Sequence, residues 1–168
     1  CLLIDEAAVT IVAGNIRRSA GMRQFCAEDN SAAGAKENLW QQDGEGNWSI
    51  DPERDALRMA NHTRVFHSRP DRATVLEAVT KQFHSGEGAI QFAPEAIARS
   101  NADLLPTAEL RSEFIAIYCD QGRDEAGRWL TSHHRDISPA ELEHRLNRYG
   151  LNPCGEILGA DFHCNLAE

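Results

Sequence analysis

Several things are scarce in this sequence, and each scarcity excludes a class of protein. Positive charge is short: 17 Lys+Arg stand against 26 Asp+Glu in 168 residues, a formal net charge of −9. The basic residues are also scattered, so the basic face that a nucleic-acid backbone requires is missing. That disfavours a polyanion as partner, though not one small phosphate. No apolar run reaches the roughly 18 residues needed to span a bilayer. The opening CLLIDEAAV has acids where a signal peptide carries its basic end. The expectation is a soluble, cytoplasmic chain with neither nucleic acid nor membrane as partner. Nucleotide-binding glycine loops are lacking too, because the turn Ser85-Gly86-Glu87-Gly88 matches neither GxGxxG nor GxxxxGK[ST].

Cysteine is present without a framework. Cys1, Cys26, Cys119, Cys154 and Cys164 are odd in number and include no CxxC, which argues against structural disulfides. Cys26 and Cys119, in RQFCAED and FIAIYCD, are expected to be buried, inert thiols. A first residue that is Cys rather than Met, and an end at CNLAE with no Gly, Pro or charged tail, are expected of a segment excised from a longer protein. Cys1 would also suit the position after an intein splice junction.

What is there suffices for a core. Hydrophobic residues make up 42% of the chain, and a chain of roughly 150 residues buries about 70% of its unfolded surface. Leu3, Ala7, Ala8, Ile11 and Val12 predict a helix over residues 1–13, stopped by Gly14-Asn15. IRRSAGMRQF fits a strand with polar positions facing a cavity, and AEDNSAAGAKENLW a short helix with acids in its first turn. QQDGEGNWSID reads as an exposed loop. Asp51-Pro52 predicts that DPERDALRMA opens a helix, and NHTRVFH a strand. Val75, Leu76, Val79 and Phe83 predict an amphipathic helix ending at Gly86. GAIQF then reads as a strand, PEAIARSN as a short helix, and TAELRSEFIAIYCDQG as a longer one ending at Gly122. Ser138-Pro139-Ala140-Glu141 is a capping box, with Leu142, Leu146 and Tyr149 at helical spacing before Gly150. This succession indicates an α/β fold in which parallel pairing outweighs hairpins.

The chemistry concentrates in Asn152-Pro153-Cys154-Gly155-Glu156. Pro153 and Gly155 stop both helix and ladder, so a loop is expected over residues 151–158. In extended backbone Asn152, Cys154 and Glu156 would project to one side, bringing an amide, a thiol and a carboxylate to one small ligand. The plain alternative is a Pro-Gly turn with a buried Cys and a solvated Glu. Cys164 follows in FHCNLAE. A zinc site would recruit His163 with Cys154 and Cys164, and His133-His134 besides. It is weakened because adjacent strand residues point to opposite faces and close-spaced ligand pairs are missing. The His pair reads as a solvated helix end. Arg17-Arg18 beside Ser19 could hold an anion, but a solvated or salt-bridged pair is the default.

LNPCGEI followed by FHCNLAE, with VAGNIRRSA near the start and ANHTRVFHSRP and SGEGAIQF between, resembles the adenosylcobalamin-dependent (class II) ribonucleotide reductases, of the monomeric ribonucleoside-triphosphate reductase type. The resemblance spans nearly the whole chain. It implies an oxidoreductase that converts ribonucleotides to deoxyribonucleotides by thiyl-radical chemistry. Cys154 would match the finger-loop cysteine that becomes the thiyl radical and takes the ribose 3′ hydrogen. Glu156 would match the carboxylate that takes the 3′-hydroxyl proton, and Asn152 the amide that holds the substrate hydroxyls. Cys164 would match one half of the redox dithiol, whose partner has no counterpart here. Asn61 and Arg64 fall in the stretch that resembles a substrate-specificity loop sensing base or effector, and Arg17 and Arg18 in a strand near the substrate cavity. The implied fold is a ten-stranded α/β barrel with a central finger loop, of which residues 1–168 would be a partial catalytic domain, inactive alone. The implied cofactor is adenosylcobalamin, bound mostly outside this segment. The implied partners are a ribonucleotide substrate, a nucleotide effector and a dithiol reductant such as thioredoxin. The alternative is a non-catalytic α/β binding or structural module in which Cys154 and Cys164 bind a metal or pack.

Overall fold

Strand β4 (Ala60–Phe66) carries alternating β-branched and aromatic residues and is buried along most of its length. Such a strand needs partners on both edges, and it lies between β1 (Gly21–Cys26) and β5 (Ala89–Phe92) in a three-stranded parallel sheet. The computed structural model describes residues 21–86 and 88–159. The helix expected over residues 1–13, the Arg17-Arg18 pair, Cys1, His163 and Cys164 lie outside them. The chain divides into two compact units. One takes in the described residues up to Arg64, with Asp71–Ile90 and Pro153–Gly155; the other takes Val65–Pro70, Gln91–Asn152 and the residues from Glu156. The expected mixed α/β organisation with parallel pairing is found.

In the first unit, helix α1 (Asn30–Gly34) is capped by Asp29, whose Oδ1 accepts the Ala32 N–H at 3.0 Å. Lys36, expected near a helix end, lies beyond it and is buried, its Nζ donating to Ala60 O at 2.8 Å. The segment expected to be a loop is a hairpin, β2 (Trp40–Gln42) against β3 (Trp48–Ile50), with Trp40 opposite Ile50 and Gln42 opposite Trp48. Its turn is closed by Asp43, whose Oδ1 accepts the N–H groups of Glu45 and Asn47, both at 2.9 Å. The helix expected after Asp51-Pro52 is only a 3-10 helix (Asp55–Met59). Arg54 explains the difference: Asp51 holds its Nε at 2.8 Å, while its guanidinium donates to Glu37 O at 2.9 Å and Asn38 O at 3.1 Å. Those bonds fix a turn where a helix would have had to start.

Helix α2 (Arg72–Ser85) ends at Gly86 as predicted and starts at Arg72 rather than at Pro70. Asp71 caps it through the Thr74 N–H at 2.7 Å, and Gly86 closes it in the left-handed region at φ 71°. Its orientation departs from expectation. Ala78 is its one buried residue, whereas Leu76, Val79 and Phe83 are 62%, 46% and 83% exposed.

The second unit is built on four helices, α3 (Ala93–Ser100), α4 (Ala108–Gln121), α5 (Arg123–His133) and α6 (Pro139–Leu146). Helix α4 packs on α3 and α5, and α6 on α3 and α5. Ile97, Leu105, Phe114, Tyr118, Leu130 and Leu146 meet between them. Asn101 ties α3 to α6 from inside, its Nδ2 donating to Ile97 O at 2.8 Å and Arg145 O at 3.0 Å. Ser138 caps α6 through the Glu141 N–H at 3.2 Å. The predicted run to Tyr149 stops at Leu146, and Tyr149 O accepts from Gln91 Nε2 at 2.8 Å instead.

Phe114 is fully buried among these side chains. Phe114→Ala should lower stability by about 3–5 kcal/mol, the usual cost of emptying such a site. Urea denaturation followed by circular dichroism would measure it, and an unmoved midpoint would show that Phe114 does not hold the helices together.

Candidate functional site

The NPCGE segment joins strands β6 (Gly150–Leu151) and β7 (Leu158–Gly159), which pair antiparallel with Gly150 opposite Gly159. A Cβ on Gly150 would stand 2.9 Å from Gly159 O, so this position requires glycine. The turn is closed from within: Asn152 N–H donates to Ile157 O at 3.2 Å, and Asn152 Oδ1 accepts the Ile157 N–H at 3.1 Å. The extended geometry expected to align Asn152, Cys154 and Glu156 is therefore not adopted. Pro153 has a fixed φ and Gly155 sits at φ 84°, and together they turn the chain. Asn152 is buried with its amide oxygen engaged in the turn, while Cys154 and Glu156 are exposed. A buried Cys154, as in the plain alternative, is not found either.

Strand β4 anchors the tip of this loop. Asn61 Nδ2 donates to Pro153 O, and a Cβ on Gly155 would meet Met22 Cε of β1 at 3.6 Å. Met22 is fixed in turn, its sulfur accepting the Thr63 hydroxyl at 3.0 Å. Asn61 and Thr63 are two residues apart on a strand and so share one face. That face carries the loop tip.

His62 and Arg64 lie on the opposite face of β4 and line a cavity of about 610 Å³ in the first unit. Phe25, Lys36, Trp40, Lys81 and His84 also line it. The Phe25 ring meets His62 edge-on, with centroids 6.1 Å apart. Asn61 and Arg64, expected to act together on base or effector, are thus separated by the strand: one holds the loop and the other faces the cavity. The remaining cavity residues come from β1, α1, β2, α2, β5 and the loops between them, and no sequence pattern announces them. Only the His62, Arg64 alternation could have been read in advance.

Among the thiols, Cys26 is exposed, contrary to expectation, because it ends an edge strand. Cys119 is half-buried on α4, and burial pushes its thiol up. His134 has its Nε2 against Leu104 O at 2.9 Å and His133 its Nδ1 against Trp129 O at 2.9 Å, so both are engaged with backbone. Among the described residues no group of three His, Cys, Asp or Glu could hold a metal ion, and no helix is long and apolar enough to cross a membrane.

Comparison with known proteins returns no matching family model, no matching curated protein and no matching solved structure.

The thiols differ enough to test chemically. Thiolate is the reacting species, so exposed Cys154 and Cys26 should alkylate with iodoacetamide at mildly alkaline pH well before Cys119. Peptide-resolved mass spectrometry would order the rates, and Cys119 reacting first would contradict the burial described.

Proposed function

We propose that this chain is a catalytic-barrel segment of an adenosylcobalamin-dependent ribonucleotide reductase, a cytoplasmic oxidoreductase acting on ribonucleoside triphosphates. The observation that supports the reading best is the built loop at NPCGE: an exposed Cys154 on a turn that needs Gly155 and is tied to β4 through Asn61. A packing cysteine has no use for exposure, and a solvated turn has no use for the tie. The ordered motifs GNIRRSA, NPCGE and FHCNLAE add to it.

In this reading a Cys154 thiyl takes the ribose 3′ hydrogen atom and returns it at the end of the cycle. Glu156 accepts the 3′-hydroxyl proton, and general-base work of this kind suits a carboxylate within reach of a hydroxyl. Cys164 and a second thiol supply the two electrons. The balance is ribonucleotide plus dithiol to deoxyribonucleotide, disulfide and water. Asn152 acts on the loop by closing its turn. The substrate ribonucleotide, a nucleotide effector and a dithiol reductant such as thioredoxin are the partners. Adenosylcobalamin would supply the radical. The cavity beside β4 does not suit it, since about 610 Å³, walled by Phe25, Leu39, Trp40 and Ile90 as well as by Lys36, Arg64 and Lys81, is the size of a small-molecule site rather than of a broad corrin face. No step is therefore routed through the described residues and that cofactor.

The test is ribonucleotide reduction with adenosylcobalamin and a dithiol, using the 168-residue chain and the same chain with its encoded flanks. Activity is expected only with the flanks. Cys154→Ser should abolish it, and Glu156→Gln should cut turnover by about 10²-fold or more with KM little changed. Full activity in both variants would end the assignment. Silence of the flanked chain together with bound zinc would favour the metal-binding module.

A further inference from the structure

We infer that the cavity behind β4 is a binding site for a small, multiply charged oxyanion, with Arg64 as its principal counter-charge. The chain as a whole carries −9, yet this cavity gathers Lys36, Arg64 and Lys81 against Glu37, three cations to one carboxylate among its described lining residues. Such a reversal of sign inside a concave wall concentrates field lines and draws in anions.

Arg64 decides the argument. It is half-buried on the central strand, and among the described residues it makes no ion pair and no side-chain hydrogen bond. A half-buried guanidinium with no carboxylate partner keeps its planar fork of donors open, and an oxyanion can accept two of its N–H groups at once. The other groups stand on the same cavity wall. Lys81 holds Glu77 at 3.0 Å in an exposed pair one turn away, an interaction worth little in water. His84 is exposed at the rim, its ring against Phe83. Lys36 is buried and fixed by Ala60 O, so its charge is already in place. The volume of about 610 Å³ lies within the range of small-molecule sites. Phosphate and carboxylate ligands share the chemistry that Arg64 would recognise.

Trp40 lines the cavity and serves as reporter. The 168-residue chain would be titrated by fluorescence and by calorimetry with pyrophosphate and, separately, with citrate, against sodium chloride of matched ionic strength. Saturable binding of one of them is expected, and which one distinguishes a phosphate from a carboxylate site. Trp40→Phe should remove the optical signal. Arg64→Gln should weaken binding by about tenfold or more, the loss of a charge-assisted bond. Arg128→Gln, an exposed residue paired to Glu125 in the other unit, should leave it unchanged. Should Arg64→Gln fail to fold, Lys81→Ala, on an exposed side chain, should still weaken binding by about threefold or more. No heat and no signal with either anion would overturn the inference, as would equal affinity in the variants at Arg64 and Lys81. The measurement requires no turnover, so its failure leaves the reductase proposal standing, and the reverse holds equally.

Discussion

A central strand in a parallel sheet must satisfy hydrogen bonds on both edges while its two faces find separate cover, and β4 is where that constraint falls. Its burial is nearly continuous, with Ala60, Thr63, Val65 and Phe66 inside. A buried polar group without a partner costs roughly 1–3 kcal/mol, so where each polar residue of such a strand points carries weight. Thr63 is used on Met22 and Asn61 on Pro153. Arg64 faces a cavity that contains water-sized space and other cations. Alternation along one strand thus separates two tasks in the first unit: Asn61 and Thr63 support the Cys154 loop, and His62 and Arg64 line the cavity.

The second unit rests on different physics. Its helices are held by apolar contact around Phe114 and by one buried amide, Asn101, that satisfies carbonyls at the ends of two helices. Arg145 reinforces the same corner with a side chain only 15% exposed, pairing with Asp103 at 2.7 Å and Glu141 at 2.6 Å. Its Nη1 also reaches Asn101 Oδ1 at 3.4 Å, so the guanidinium and the buried amide belong to one network.

Much of this was legible because short-range chemistry decided it. Gly86 ends α2, Gly122 ends α4, and Ser138 starts α6, each at a residue whose type alone predicts it. The misreadings have a common origin in contacts distant along the chain. DPERDALRMA has helical signals, but Arg54 is claimed by carbonyls of residues 37 and 38. WQQ and WSI are too short for a period of two to emerge, so Asp43 and Gly46 looked like a loop when they were closing a hairpin. Asn152, Cys154 and Glu156 were placed by a rule for extended backbone, and Gly155 at φ 84° suspends that rule. The cavity residues were invisible for the same reason, since lysines and histidines from separate elements acquire a shared meaning only once folded.

Helix α2 shows how far periodicity can mislead about direction. Leu76, Val79 and Phe83 form one stripe, which an amphipathic helix would turn inward, yet here it is Ala78 on the opposite side that packs. The three side chains forgo part of the roughly 1.5–3 kcal/mol that full burial of each would give. Against that, the inward side presents Lys81 to the cavity, which a leucine stripe would have filled. An apolar inward face would have sealed the space behind His62 and Arg64 and left the guanidinium facing hydrocarbon. The outward stripe leaves α2 the least buried of the long helices, fastened at its two capped ends and through Ala78.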